Sequence, residues 1–250
     1  MIISKYKLTE NKNIAKDIYK MSFEISDEIS KSIKAGQFVN LTVEGKFLKR
    51  PISINDLEKN KLSIIYKVVG VGTKVLSEKK IGEEVEVMLP LGNGYDLKVK
   101  ENIEQLQSNQ VTLVGGGIGV PPLYLTAKRL KEAGIEVTAV LGFRNTNDVI
   151  LEKEFEQLGV KTEITTEDGS YGRKGYVTEY LEGNEYVMTC GPELMLKAVY
   201  DKCQNGQFSF EERMGCGFGA CMGCSCQTLY GNKRICKEGP ILVKDEIIWS

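Results

Sequence analysis

Three cysteines in one glycine-rich stretch constrain this chain more than any other feature. In Gly215-Cys-Gly-Phe-Gly-Ala-Cys-Met-Gly-Cys224, Cys216, Cys221 and Cys224 stand as C-x4-C-x2-C, and more thiols, Cys226 and Cys236, follow. Three thiols on one loop with a fourth from elsewhere is the plant-type ligand order for a [2Fe–2S] cluster. Gly215, Gly217, Gly219 and Gly223 let the backbone curl around an inorganic core and bring N–H donors to its sulfurs. A four-cysteine zinc site prefers two C-x2–4-C knuckles with a longer spacer, whereas here the knuckles overlap in one loop. A disulfide framework is disfavoured because nothing in the sequence suggests export. The C-x2-C spacing favours Cys224 and leaves Cys226 as a spare thiol beside the cluster. On spacing alone, the choice among Cys224, Cys226 and Cys236 stays open.

The rest of the chain bounds the class. Its 250 residues suffice for two compact domains and an appendage. A net charge of −1 gives no reason to invoke nucleic acid or an anionic membrane surface. No apolar run approaches the roughly 20 residues that cross a bilayer, and Met1–Lys7 lacks a signal-peptide core. A cytoplasmic protein is expected. There is no histidine, which excludes a Rieske centre, histidine-ligated haem, His-dependent triads and most catalytic zinc sites. No catalytic side chain is expected, so bound cofactors must carry the chemistry.

Residues 1 to about 98 read as short strands, with apolar runs at Ile18–Ile25, Gln37–Val43, Leu62–Val69 and Val85–Leu89 between Gly, Asn, Asp and Lys clusters. Only Thr73–Lys80 reads as a helix. This spacing predicts a small antiparallel β-barrel. Arg50-Pro51-Ile52-Ser53 offers a fixed cation and a hydroxyl to a phosphate or ring edge. In Ile65-Tyr66-Lys67, the aromatic could stack on a flat ligand, and Gly72-Thr73 could open a helix toward a phosphate. The bland readings are an exposed arginine and a turn glycine.

From about residue 108 strands alternate with helices: Val111–Val114, Leu123–Ala133, Ile135–Leu141, Val149–Leu158, Val160–Thr165, Tyr186–Thr189 and Glu193–Lys202. Alternation of this kind predicts a parallel, doubly wound sheet. After its first strand comes Gly115-Gly116-Gly117-Ile-Gly119, a run richer in glycine than a tight turn requires. It departs from G-x-G-x-x-G, with Pro122 at the third glycine position. Cys190-Gly191-Pro192 follows the last strand, where open α/β sheets bind ligands; a buried core cysteine is the alternative. The expected division is 1–100 for the barrel, 101–206 for the α/β domain and 207–250 for the cluster region.

Together these motifs resemble the ferredoxin reductase superfamily. With the C-terminal Glu211-Glu-Arg-Met-Gly-Cys216 run and its cysteines, the chain is similar throughout to the electron-transfer subunits of type B dihydroorotate dehydrogenase. The resemblance implies FAD on the barrel, held by Arg50, Pro51, Ile52 and Ser53, lined by Ile65, Tyr66 and Lys67, with Gly72 and Thr73 at its pyrophosphate. It implies NAD(H) beside Gly115, Gly116, Gly117, Gly119 and Cys190-Gly191-Pro192, and Cys216, Cys221, Cys224 and Cys236 as cluster ligands. The partner implied is an FMN-containing dihydroorotate dehydrogenase catalytic subunit, in a heterotetramer of two copies of each chain, serving pyrimidine biosynthesis. Electrons would run from the partner's FMN through [2Fe–2S] and FAD to NAD+, the protein positioning and tuning these groups. NAD against NADP stays open, since Arg173 and Lys174 could meet a 2′-phosphate. Two other readings compete. One is the small flavin and [2Fe–2S] subunit of an NADH-dependent ferredoxin:NADP+ oxidoreductase or a sulfide dehydrogenase, and the other is a zinc-stabilised interaction module.

Overall fold

The computed structural model describes residues 1–108 and 110–249. The chain opens with a closed six-stranded barrel in the order β1-β2-β5-β4-β3-β6. Its strands are β1 (Ile2–Ala15), β2 (Ile18–Glu24), β3 (Phe38–Leu41), β4 (Arg50–Glu58), β5 (Lys61–Lys67) and β6 (Glu84–Leu91). Closure depends on β1, which pairs with β6 through Ile2–Lys7 and with β2 from Leu8 onward, with a register shift between Leu8 and Glu10. A bulge there bends the strand from one half of the barrel into the other. Leu8, Met21, Phe23, Ile54, Leu62, Ile64, Tyr66 and Leu89 fill the interior. A filled small barrel has no internal room for a cofactor, so any ligand must lie on its outer face. Two helices flank it. In α1 (Asp27–Ser32), the Ser26 hydroxyl accepts the Ile29 N–H at 3.4 Å, while α2 (Val71–Glu78) starts after Gly70.

The second unit comprises α3 (Lys100–Gln105), β7 (Gln110–Gly116), α4 (Pro121–Glu132), β8 (Glu136–Phe143), α5 (Glu152–Gln157), β9 (Lys161–Thr166), β10 (Arg173–Lys174), β11 (Tyr186–Cys190), α6 (Glu193–Lys202) and β12 (Asn205–Ser209). The seven-stranded sheet has the order β10-β9-β8-β7-β11-β12 with the later strand Ile241–Val243 at its edge, and β7 through β12 pair in parallel. After β7 the chain winds outward through β8 and β9, then returns to β7's other side with β11. The loops after β7 and β11 therefore diverge from one point, the crevice where such sheets bind ligands. Pro121 and Pro122 open α4, where a missing N–H costs nothing.

The cluster region is an insertion in this sheet. Its last strand, β15 (Ile241–Val243), pairs antiparallel with β12, and the segment between them carries the cysteines and a hairpin of β13 (Ser225–Thr228) and β14 (Gly231–Arg234). The expected division between residues 206 and 207 falls inside β12. That strand mixes Asn, Gly, Gln and Ser with one Phe and carries no apolar run. Asn93, in the exit from the barrel, fastens the insertion to it. Its side-chain amide donates to the carbonyls of Glu238 at 3.0 Å and Ile241 at 2.7 Å, and its oxygen accepts the Ile241 N–H at 3.1 Å.

Candidate functional site

The four expected cluster ligands gather as two pairs. Cys216 and Cys221 lie with their sulfurs 3.4 Å apart, and the Cys221 N–H donates to the Cys216 Sγ at 3.4 Å. Cys236 N–H donates to the Cys224 Sγ at 3.5 Å, and both of these residues are buried. Metal–sulfur bonds of about 2.3 Å in a tetrahedron place two thiolates about 3.8 Å apart. The Cys216–Cys221 separation thus suits two ligands of one metal. Among the described residues no three Cys, His, Asp or Glu side chains converge on a single ion. Two thiol pairs fit a two-iron centre better than one zinc ion. Cys226, on β13, hydrogen-bonds to none of the four among the described residues and donates to the Gln227 carbonyl at 3.6 Å.

Two of the four thiols are shifted in opposite directions. Burial works against ionising Cys216, but the N–H groups of Cys221, Phe218 and Ala220 outweigh it and bring the thiol down to about 6. Cys236 is pushed up to about 12, first by burial and then by its hydrogen bond to Cys224 and the charges of Cys224 and Cys216. Four thiolates this close repel one another, and a cationic core is what would let all of them ionise. Arg234, which the motifs did not flag, braces the cysteine loop. Its Nε donates to Glu238 at 3.0 Å, and its Nη1 donates to the Gly219 carbonyl in the cysteine loop.

The flavin motif is split between two faces of the barrel. Arg50 and Gly72 meet: a Cβ on Gly72 would stand 2.6 Å from the Arg50 Cζ, so only glycine leaves room for the guanidinium. Arg50 donates to the carbonyls of Leu48 at 2.6 Å and Lys49 at 3.3 Å, with no carboxylate partner among the described residues. A cation beside the amino end of α2 makes an anion cradle and fits the diphosphate of FAD. Thr73 closes the turn, its hydroxyl accepting the N–H groups of Val69 at 3.0 Å and Gly70 at 3.3 Å. Pro51, Ile52 and Ser53 lie half-buried along β4.

Tyr66 corrects the sequence expectation. Its ring is 1% exposed, part of the barrel core, with its hydroxyl donating to the Asn11 Oδ1 at 3.3 Å. The side chain cannot stack on a ligand outside the barrel, because strand alternation turns Leu62, Ile64 and Tyr66 inward together. Ile65 and Lys67 take the outer face. Ile65 packs with the core of the α/β unit, and Lys67 donates to the Asp148 Oδ1 at 3.1 Å across the crevice between the two units.

At the crevice, Gly117 has φ +52°, and a Cβ on Gly119 would stand 2.6 Å from the Cys190 carbonyl carbon. The loops after β7 and β11 therefore touch backbone to backbone. Gly116 and Gly191 both abut Met195 of α6, which closes the floor beside Pro192 and carried no sequence signal. Gly115 has no room for a side chain against Val120. Cys190 is 3% exposed and its thiol is pushed up to about 12, by burial and then by the charge of Glu211. Its sulfur belongs to the core, so only its backbone reaches the crevice. These small, crowded backbone positions fit close approach of a dinucleotide. Arg173 faces Glu163 at 3.7 Å and lies 5.0 Å from the Tyr180 ring centroid.

Comparison with known proteins agrees with this geometry. Residues 211–248 match the iron–sulfur cluster binding domain of dihydroorotate dehydrogenase B, residues 113–201 an oxidoreductase NAD-binding domain and residues 5–95 an oxidoreductase FAD-binding domain. A dihydroorotate dehydrogenase B (NAD(+)) electron transfer subunit from Bacillus pumilus is 43% identical, with 97% of each chain covered. The subunit of that name from Clostridium acetobutylicum is 39% identical over 97% of this chain and 96% of its own. Among solved structures, that of an NADH-dependent reduced ferredoxin-NADP oxidoreductase superposes with a TM-score of 0.84 at 30% identity, covering 98% of this chain and 90% of the other. Phthalate dioxygenase reductase shares the fold, with a TM-score of 0.63 at 21% identity over 80% of this chain and 64% of its own.

Proposed function

The chain belongs to the family of dihydroorotate dehydrogenase B electron transfer subunits, and from that premise we propose how its parts divide the work. It carries electrons between a catalytic partner that oxidises dihydroorotate to orotate and NAD+, as an oxidoreductase subunit of pyrimidine biosynthesis that uses FAD, a [2Fe–2S] cluster and NAD(H). When bound, FAD exchanges an electron pair with the nicotinamide and single electrons with the cluster.

Residues 1–100 hold FAD, 101–206 receive NAD(H) and 207–250 hold the cluster, with β12 shared at the last division. Arg50 and the amino end of α2 neutralise the FAD diphosphate, while the outer face of Pro51–Ser53 and Lys67 seats the ring system, Ile65 and Tyr66 contributing backbone alone. Gly115–Gly119 and Cys190–Pro192 bring NAD(H) to that ring through backbone contacts. Cys216 and Cys221 bind one iron, and Cys224 and Cys236 bind the other. The partner is the FMN-containing catalytic subunit, in a heterotetramer with two copies of each chain in the cytoplasm; no helix among the described residues is long and apolar enough to cross a membrane.

The observation that carries this reading is the pairing of the four thiols in a loop locked to the flavin-bearing barrel. Iron, acid-labile sulfide and flavin analysis of the purified chain tests it. The expected result is iron and sulfide in equal amounts, two of each per FAD, with the visible bands of a flavin and an iron–sulfur centre. A colourless protein containing zinc would overturn it. The likeness to the NADH-dependent ferredoxin-NADP oxidoreductase supports a second reading with a different partner. The higher identity of the dihydroorotate dehydrogenase B subunits favours the first, and the chain that co-purifies discriminates them.

A further inference from the structure

On the outer face of the barrel, β3 presents Phe38 and Asn40 toward the cluster insertion, while Val39 and Leu41 enter the barrel core. Phe38 belongs to the same buried apolar cluster as Cys224, Ile235 and Cys236. Asn40 is different. It is 1% exposed, and its Oδ1 is buried without a hydrogen-bond partner. Its side-chain nitrogen is the atom nearest to where a Cβ of Gly217 would stand. Gly217 follows the ligand Cys216 and has φ +76°, so glycine is required there twice, for the backbone and for the amide against it.

A buried amide with an orphan oxygen is costly, and leucine would fill the position without that cost. The amide does supply something leucine cannot, a donor dipole directed from the barrel at the loop carrying the cluster's negative charge. Asn40 also pairs with Pro51 of the flavin motif across the β3–β4 ladder. One residue thus touches the cluster loop from the strand pair that seats the flavin.

We propose that Asn40 is a positioning residue for electron transfer, whose amide fixes the Cys216–Phe218 backbone against the flavin-bearing barrel and raises the reduction potential of the cluster. Donors near cluster sulfurs favour the more negative, reduced state, which raises the potential. The inference rests on reading the four thiols as a [2Fe–2S] set.

The test uses the chain purified with both cofactors, with Asn40→Ala and Asn40→Leu variants, and reads the cluster directly by EPR-monitored anaerobic potentiometry. Both variants are expected to show a more negative cluster potential and an altered EPR line shape. FAD content and reduction of FAD by NADH should stay native. Gly217→Ala gives an independent arm. It should lower cluster occupancy in the native chain and do less harm in the Asn40→Ala background, where the amide it would strike is gone. Native potential and EPR signal in both Asn40 variants, even with reduced cluster content, would reduce Asn40 to packing and overturn the proposal. Strictly additive losses in the double variant would also count against it. Absence of iron and sulfide from the unsubstituted chain would instead overturn the cluster reading itself.

Discussion

Substituting Gly72 with alanine should push the stability of the protein and its flavin affinity in opposite directions. Gly72 lies in the first turn of α2, and its φ is not in the left-handed region. Alanine there removes the helix penalty of glycine, worth up to about 1 kcal/mol. The new Cβ would stand 2.6 Å from the Arg50 Cζ. The guanidinium is the far end of a flexible side chain, so it yields rather than the helix. What is lost is the alignment of Arg50 with the helix terminus. A hydrogen bond to a charged group contributes about 1.5–3 kcal/mol, so FAD should bind about 10- to 150-fold more weakly at about 1.4 kcal/mol per decade. The assay pairs fluorescence titration of FAD into the deflavinated variant with thermal melts of the same samples. Flavin-free stability should hold or rise while affinity falls, and Arg50→Ala should bring a similar loss with little further effect of alanine at 72. Native FAD affinity in Gly72→Ala would refute the cradle. A drop in flavin-free stability would refute the claim that Arg50 yields.

Other consequences are narrower. Cys226→Ser should keep iron, sulfide and the EPR signal at native levels, whereas Cys236→Ser should lose most of the cluster; equal losses in both would reverse the ligand assignment. Glu10 is held below its ordinary value of 4.5 despite burial, by Lys20, Ser22 and Lys61. A depressed carboxyl contributes stability that is full above about pH 4.5 and fades as pH falls through the lowered value. Glu10→Gln should therefore cost about 1 kcal/mol at neutral pH and progressively less in acid, and a constant difference across denaturant melts at several pH values would contradict this. Lys67→Met should weaken the tie to Asp148 across the crevice by about 1 kcal/mol at most, read as earlier proteolysis between barrel and α/β unit; a native proteolysis profile would contradict it.

Much of this arrangement was legible in the chain because its signals are local. Cysteine spacing survives folding as the pairing of thiols, and the glycine run after β7 marks a crowded backbone whatever surrounds it. The glycine at 72 and the arginine at 50 were each readable, though their contact was not, since it joins residues from different strands and helices. Tyr66 misled because β5 is buried on both faces. Its apolar run hides the alternation that decides which side chains point outward. β1 was missed for the opposite reason: its Lys, Glu and Asn residues leave little apolar pattern, yet it closes the barrel. Asn40 and Asn93 matter through long-range contacts, as does Arg234 through its bond to Gly219, and a polar residue with a distant partner carries no signature in sequence.

Electrons exchanged with the catalytic partner must pass through the cysteine loop if its thiols hold the cluster. In the complex with its catalytic partner, Cys221→Ser should leave anaerobic reduction of FAD by NADH at its native rate and abolish onward reduction of the partner's FMN, followed by stopped-flow absorbance. FMN reduction at the native rate in that variant would show that electrons do not pass through the cluster.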